Sequence, residues 1–384
     1  MGGFECSTHR PASRKRLDLI AATQHDRFAL HDYRRLAEQG LLTARDGIRW
    51  HLIEKHPGHY DFSSVLPMLR AARDAGVQVI WDLCHYGWPD FIDIFSPHFP
   101  VGLGRLARAF ASLVLEETGQ PPFISPVNEI SFFAWAGGEV GYFNPYATNR
   151  AGELKAMLVR AAIEAIEATW DVAPGARVVH ADPVIHVTSD PARPQDRATA
   201  ENYTLAQFEA WDMLAGRLHL EVGGAEKYLD IVGINYYPHN QWIFNNLPFN
   251  PAYALSRSHP LYRPFRRILA DVYQLYHRPI FIAETGADGD ERPHWLRYVC
   301  EEVHAALAAG VPLEGICLYP IVNFPWWDDD YPLQNALWGY PDESGGRAIY
   351  DPLLRELQNQ QRFFERLRSV PTEPDYAGGR GEVA

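Results

Sequence analysis

The chain has 384 residues, of which 47% are hydrophobic and 13% aromatic, enough to bury a large core as one big domain or as two ordinary ones. Its formal net charge of -13 disfavours nucleic acid or an anionic membrane as a partner, because either would repel the protein on average. A neutral substrate suits this charge better.

The cysteines and the N-terminal residues bear on the compartment. Cysteine occurs four times without Cys-x-x-Cys spacing, and three of the four lie in or beside apolar runs, so we expect buried thiols rather than disulfides or zinc ligands. The basic stretch at 14–16 is not followed by an apolar run long enough for a signal peptide, and no run approaches the length of a membrane span. These features predict a cytoplasmic protein, although export by another route stays open.

Short apolar runs alternate along the chain with amphipathic stretches of helical length, a pattern typical of βα units. Strands are predicted near residues 17–22, 44–50, 77–83, 123–127, 177–181, 231–235, 280–284 and 315–319. Helices are predicted near residues 28–38, 64–75, 103–117, 151–170, 200–214, 264–276, 294–309 and 352–368. Since no linker or internal repeat divides the series, the pattern predicts a single (β/α)8 TIM barrel with long βα loops over residues 17–371. Residues 1–16 and 372–384 are predicted to be mobile tails.

Two of the predicted strands end in a glutamate. Asn128 and Glu129 follow strand four, and Glu284 ends strand seven. The carboxyl ends of the strands form the rim where a barrel keeps its active site, and two carboxyl groups there meet the requirement of glycosidic bond cleavage. Either glutamate alone could be a surface or salt-bridged residue. The pair, on strands four and seven, indicates chemistry.

Polar and aromatic side chains are predicted to gather at the same rim. Sugars need both kinds of group, since aromatic faces cover the C–H side of the ring while Asn, His, Arg and carboxylates bind its hydroxyls. The candidates at the other strand ends are Arg45, His85, Asn235, Tyr237, Trp326 and Trp327. The sequence therefore predicts a carbohydrate or glycoside as the partner.

These strand-end motifs resemble those of the retaining β-glycosidases of clan A, most of all glycoside hydrolase family 1, the β-glucosidase and β-galactosidase family. The matching segments are Leu83-Cys84-His85-Tyr86-Gly87-Trp88-Pro89, Asn128-Glu129, Gly233-Ile234-Asn235-Tyr236-Tyr237 and Ile282-Ala283-Glu284-Thr285-Gly286. Their order and strand assignments agree over nearly the whole chain. The segment 50–62 also resembles the second-strand region of family 42 β-galactosidases, so the clan is a safer assignment than the family.

The resemblance implies a β-glycosidase that retains anomeric configuration by double displacement. It implies that Glu284 is the nucleophile and Glu129 the acid/base, that Asn128 and His85 bind sugar hydroxyls, and that Gln24 stands where the family keeps a sugar-binding Gln. No cofactor and no metal are implied.

The electrostatics of the pair are predicted from the same residues. Arg45 and Tyr237 should favour the carboxylate of Glu284 if they lie beside it, because a cation and a hydrogen bond both stabilise the ionised form. The charge of Glu284 should in turn keep Glu129 protonated until the glycosyl ester forms.

The chain departs from the family pattern after strand eight, where Pro325 replaces a sugar-binding glutamate and Trp326 and Trp327 favour a less polar sugar edge. Three alternatives to a retaining β-glycosidase that hydrolyses its substrate remain: a transglycosidase acting on a small-molecule or natural-product glycoside, a sugar-binding barrel without activity, and a metal-dependent barrel hydrolase. The last would need His and Asp ligands at strand ends in metal-ligand spacing, which the sequence does not show.

Overall fold

The computed structural model describes residues 1–245, 253–327 and 331–369. Within them, parallel strands close into an eight-stranded barrel in which each strand pairs with its neighbours in the series and the first strand pairs with the last. The barrel strands are β1 (Gly2–Gly3), β2 (Thr43–Gly47), β3 (Gln78–Asp82), β4 (Phe123–Ser125), β5 (Arg177–Pro183), β6 (Ile231–Asn235), β7 (Ile280–Thr285) and β8 (Leu313–Leu318). The predicted TIM barrel is confirmed.

Helices surround the barrel and cover its outer face. They are α1 (Leu19–Ala22), α2 (His25–Glu38), α3 (Trp50–Ile53), α4 (Leu66–Asp74), α5 (His98–Thr118), α6 (Ile130–Phe133), α7 (Ala151–Val172), α8 (Arg197–Leu205), α9 (Glu209–Leu214), α10 (Phe265–Tyr276), α11 (Arg292–Ala308) and α12 (Asp351–Ser369). Short strand pairs join His186–Thr188 to Gln241–Ile243 and Trp338–Pro341 to Arg347–Ile349. Within the described residues, no helix is both long and apolar enough to cross a membrane.

The core has two parts. A small cluster of inward-facing side chains fills the barrel, and a much larger cluster lies between the strands and the surrounding helices. The inner cluster contains Ile80, Val179, Ala181, Phe281 and Ala283. All four cysteine side chains are buried.

The prediction of the first strand is wrong. Residues Leu19–Ala22 form α1. Asp18 precedes the helix and caps it, because its side chain accepts the Ala21 N–H at 3.1 Å. A short apolar run fits a strand or a helix equally well, and here an N-terminal cap decides for the helix. The first strand is Gly2–Gly3, which pairs with β2 and β8.

The predicted mobile tail at residues 1–16 is therefore also wrong. Residues 2–9 are buried, and Gly2 pairs with Ala44 on one side and Leu318 on the other. The barrel begins at β1 and not at residue 17. The other predicted tail, residues 372–384, lies outside the described residues.

Strand β2 contacts helix α2 through its outer face. Asp46 accepts a hydrogen bond from the Tyr33 hydroxyl at 2.6 Å and lies 2.8 Å from Nε2 of His25, whose Nδ1 lies 2.9 Å from Asp32. The His25 ring also stacks on Phe4 with the ring centroids 3.7 Å apart. Burial alone would lower the pKa of His25, but the two carboxylates raise it to about 9. A buried, charged histidine thus joins α2 to β2.

The glycine at position 3 is required by a close approach. A Cβ on Gly3 would lie 2.0 Å from Cδ2 of buried Tyr319, whereas a Cβ on Gly152 in α7 would meet nothing within 4 Å. We expect Gly3→Ala to lower the free energy of unfolding by about 1–3 kcal/mol, the typical effect of overpacking. Gly152→Ala, the matched control, should leave it unchanged or raise it by up to about 1 kcal/mol. Denaturant unfolding measures both, and equal effects would show that β1 is not packed against Tyr319.

Candidate active site

The two glutamates stand at the carboxyl ends of strands that lie apart in the barrel wall. Glu284 is part of β7, and Glu129 follows β4, with β5 and β6 between the two strands. Parallel strands present their carboxyl ends at one end of a barrel, so both side chains belong to the same rim. The residues that contact each glutamate show how the two differ.

Glu284 is surrounded by donors. Arg45 donates from Nη1 to Oε1 at 2.7 Å, and the hydroxyl of Tyr237 donates to Oε2 at 2.8 Å. The Glu284 side chain is only 7% exposed and Arg45 is fully buried. A cation and a hydroxyl thus donate to the two oxygens of Glu284, and both contacts are the ones expected from the sequence.

Arg45 has a second acidic partner, which sequence reasoning missed. Its Nη2 donates to Asp82 Oδ2 at 2.6 Å and to Asn128 Oδ1 at 2.8 Å. Burial would raise the pKa of Asp82, but the charge of Arg45 holds it below its ordinary value. Asp82 ends β3, and its place at a strand end was the signal that could have identified it. One guanidinium therefore joins groups from three strand ends.

The amide of Asn128 is fully engaged within the protein. Because Oδ1 accepts from Arg45, Nδ2 must face His85, 3.0 Å from Nε2, and it also donates to the Tyr86 hydroxyl at 3.1 Å. Nε2 of His85 then accepts, so the proton on Nδ1 faces Asp82, 2.9 Å away. Burial would lower the pKa of His85, but the carboxylates of Asp82 and Glu5 raise it. A sugar hydroxyl that bound Asn128 or His85 would share or replace one of these bonds.

A sulfur atom completes this buried group. Cys6 Sγ lies 3.1 Å from His85 Nδ1 and 3.7 Å from Asp82 Oδ2, and ligand atoms of the three residues lie within 4.8 Å of one another, close enough to hold a metal ion. The guanidinium of Arg45 already neutralises Asp82 from 2.6 Å, and a second cation beside it would be repelled in a buried space. We interpret the cluster as a hydrogen-bond network.

Glu129 has a different environment. The Tyr86 hydroxyl donates to Oε2 at 2.6 Å and Asn235 Nδ2 donates to Oε1 at 2.8 Å, and both donors are uncharged. Burial and the negative charge of Glu284 raise the pKa of Glu129 to about 8, against the effect of these two bonds. Both effects favour the protonated form of Glu129, and burial contributes more than the charge of Glu284.

Tyr86 was not among the predicted site residues. Its backbone has a φ of 63°, uncommon outside glycine, and its ring is buried against the Trp327 indole, with centroids 5.7 Å apart. The sequence placed it beside His85 but gave no sign that its hydroxyl would reach Glu129. Only the turn after β3 brings it there.

The two tryptophans after β8 differ in position. The ring of Trp327 is half-buried and lies 4.6 Å from the ring of His9, between centroids, so it forms part of the aromatic wall beside Tyr86. Trp326 is 47% exposed, and its backbone N–H donates to Tyr331 O at 2.9 Å. Of the two, Trp327 is the one packed against the residues around Glu129.

Gln24 does not lie where the resemblance placed it. It precedes α2 with a φ of 53°, and its Oε1 accepts from Arg27 at 3.4 Å; none of its hydrogen bonds within the described chain reaches either glutamate. The reason is the misplaced first strand, because Gln24 follows α1 rather than a barrel strand. The residue that follows β1 toward the site is Glu5, a buried carboxylate with Oε1 3.8 Å from His85 Nε2.

The contrast between the glutamates can be measured directly. We expect ¹³C NMR of carboxyl-labelled protein to give Glu129 a titration midpoint near pH 8. The midpoint should fall toward the ordinary value in Glu284→Gln, because that change removes a neighbouring negative charge. Glu153→Gln, at an exposed carboxylate in α7, is the control and should leave the midpoint unchanged. A midpoint near 4 in the unaltered protein would contradict the assignment.

Neither a protein-family model nor a curated protein sequence matches the chain. Solved structures do. A family 1 β-glucosidase from Thermotoga maritima is 15% identical, with a TM-score of 0.73 over 88% of this chain and 86% of that one. The β-glucosidase of T. maritima in complex with glucoimidazole gives 15% identity and a TM-score of 0.73, over 88% and 87% of the two chains. The AHE enzyme from Alicyclobacillus herbarius is 19% identical, with a TM-score of 0.73 over 89% and 88%. The chain therefore has the barrel fold of the family 1 β-glucosidases.

Proposed function

We propose that the protein is a retaining β-glycosidase, in which Glu284 is the nucleophile and Glu129 the acid/base. The observation that carries the proposal is that two glutamates at one rim have opposite electrostatic environments. Arg45 and Tyr237 stabilise Glu284 as a carboxylate, whereas burial and nearby negative charge keep a proton on Glu129. Pairs of titratable groups whose environments push their pKa values apart mark the acid and the nucleophile of such sites.

In the first step, a Glu284 oxygen attacks the anomeric carbon of the sugar and the bond from that carbon to the glycosidic oxygen breaks. Glu129 gives its proton to the departing oxygen, which leaves as an alcohol. Tyr86 and Asn235 hold the two oxygens of Glu129, so its orientation toward the substrate is set before binding. The product is a glycosyl ester on Glu284.

In the second step, water attacks the anomeric carbon and Glu284 leaves as a carboxylate. The ester carries no charge, so the pKa of Glu129 falls once it forms and Glu129 can accept the proton of the water. Arg45 then stabilises the negative charge that Glu284 regains. An alcohol in place of water would give transglycosylation by the same step, which is the alternative reading of the site.

The substrate side of the proposal rests on the side chains around the pair. His85, Asn128, Asn235 and Glu5 offer polar groups for hydroxyls, and Trp327 offers an aromatic face next to Tyr86. Pro325 supplies neither a carboxylate nor a backbone N–H at the loop after β8. We propose a β-glycoside whose sugar has one less polar edge, such as a deoxy sugar.

The nucleophile can be trapped. A 2-deoxy-2-fluoro glycoside with a good leaving group should leave a covalent sugar on Glu284, because the fluorine slows breakdown of the ester more than its formation. Peptide mapping by mass spectrometry would locate the adduct, and Glu284→Gln should show none. An adduct on another residue, or none with a glycoside that the protein turns over, would overturn the assignment.

The acid/base can be tested by leaving group and by pH. Glu129→Ala should lower kcat/KM by about 100- to 10,000-fold on glycosides with poor leaving groups and far less on activated aryl glycosides. In the unaltered enzyme, kcat/KM should fall as the pH rises past about 8, since the required proton is then lost.

Azide provides the control for this variant. It should restore turnover by Glu129→Ala through a β-glycosyl azide, since an anion can attack the ester without a base. Equal losses on both classes of glycoside would make Glu129 structural, and an α-glycosyl azide would contradict retention.

A further inference from the structure

The backbone at Glu129 is held in an unfavourable conformation. Its φ of 48° and ψ of 61° lie in the left-handed region, which residues other than glycine rarely adopt. Such a residue keeps its conformation only when its surroundings fix it, so the groups that bind the chain on either side of Glu129 decide where its carboxyl group points.

Two consecutive residues of β5 supply those groups. The carbonyl oxygen of Ala181 accepts the N–H of Glu129 at 2.9 Å. The carboxylate of Asp182 accepts the N–H of Ser131 at 3.1 and 3.2 Å, one distance to each oxygen, and the Ser131 hydroxyl at 2.9 Å. The end of β5 therefore clamps the chain at residues 129 and 131.

Asp182 is itself buried, with 1% exposure, so its bonds to Ser131 are shielded from water. Burial raises the pKa of Asp182 to about 7, although the bonds from Ser131 oppose this. Its negative charge is in turn one of the causes that raise the pKa of Glu129. The Asp182 carboxylate therefore affects Glu129 in two ways. Its hydrogen bonds hold the backbone next to Glu129, and its charge acts on the Glu129 carboxyl group through space.

Other titratable groups face the same two carboxyls. Lys155 of α7 faces Asp182 and is paired with Glu209, and the hydroxyl of Tyr276 in α10 interacts with Asp182 while donating to Asp212. Glu129 is faced by Glu284, Asp182, Tyr86 and Tyr237. Among these, Asp182 alone combines charge with a bond to the segment that carries Glu129.

We infer that Asp182 is a positioning residue for Glu129, whose left-handed turn it holds through Ser131. The negative charge of Asp182 also helps to keep the acid/base protonated until proton transfer. The inference rests on the proposed role of Glu129 as the acid/base. A purely structural role for Asp182 would require only that the N–H of Ser131 be satisfied.

The variant Asp182→Asn separates these roles, since its amide oxygen can still accept from Ser131 while the charge is gone. We expect kcat/KM on poor leaving groups to fall about tenfold, with a much smaller loss on activated aryl glycosides. Removing the charge should move the basic limb of the kcat/KM profile to lower pH. Ser131→Ala, which keeps the charge and removes the hydroxyl bond, should lower kcat/KM on poor leaving groups by a smaller factor without moving the basic limb.

The same variants are read without activity through the ¹³C titration of Glu129, whose midpoint should fall in Asp182→Asn. An unchanged midpoint together with equal losses on both classes of glycoside would overturn the inference and leave Asp182 a structural residue. Glu129→Ala distinguishes a failure of the proposed function of Glu129 from a failure of the inference about Asp182. If its losses are equal on both classes of glycoside, the proposed function of Glu129 fails, whatever Asp182→Asn shows. If they are unequal, the outcome for Asp182→Asn judges the inference alone.

Discussion

The site depends on one buried guanidinium. Arg45 is fully buried, and a buried charge is tolerated only when opposite charge and hydrogen bonds compensate its lost hydration. Glu284 and Asp82 supply two carboxylates and Asn128 a carbonyl oxygen, each within 2.8 Å. Removing one partner of such a group typically lowers the free energy of unfolding by about 3–5 kcal/mol. The nucleophile candidate therefore also stabilises the folded barrel. Its charge is needed whether or not a substrate is present.

The difference between the two glutamates follows from the reach of that guanidinium. Arg45 contacts Glu284 directly, whereas the hydrogen bonds to Glu129 in the described structure come from the neutral side chains of Tyr86 and Asn235. A neutral donor offsets burial only partly, so the pKa of Glu129 stays raised. The two glutamates are thus distinguished by the position of a single cation rather than by their residue type.

Most of the barrel could be predicted because strands β3 to β8 contain apolar runs that alternate with stretches of helical length. Strand β1 could not be predicted, since Gly2–Gly3 has no side chains to show a pattern and is selected by the close approach of Tyr319. Because the first strand was predicted in the wrong place, Gln24 was expected to follow a barrel strand, whereas it follows α1. The glutamate pair was visible because the two residues stand at strand ends, and Arg45 because it is a charged residue inside a predicted strand.

Tyr86, Asp82 and Asp182 were not predicted, although each lies near a strand end. Their roles depend on contacts between residues far apart in the chain, such as Tyr86 with Glu129 and Asp182 with Ser131. No local spacing encodes such a contact, because it arises only when the barrel closes. A sequence pattern can therefore identify the glutamate pair better than the residues that hold it in place.

Strand β2 links the surface layer to the centre of the barrel. Successive residues of a strand face opposite sides, so Arg45 points inward to Glu284 while Asp46 points outward to His25 and Tyr33 of α2. The register of this strand is consequently fixed by ionic contacts on both faces. Helix α2 lies outside the barrel wall. A displacement of α2 would nevertheless move β2, and with it the arginine on the opposite face of the strand. A change in α2 that displaces His25 or Tyr33 is therefore expected to disturb the contact between Arg45 and Glu284 as well as the fold.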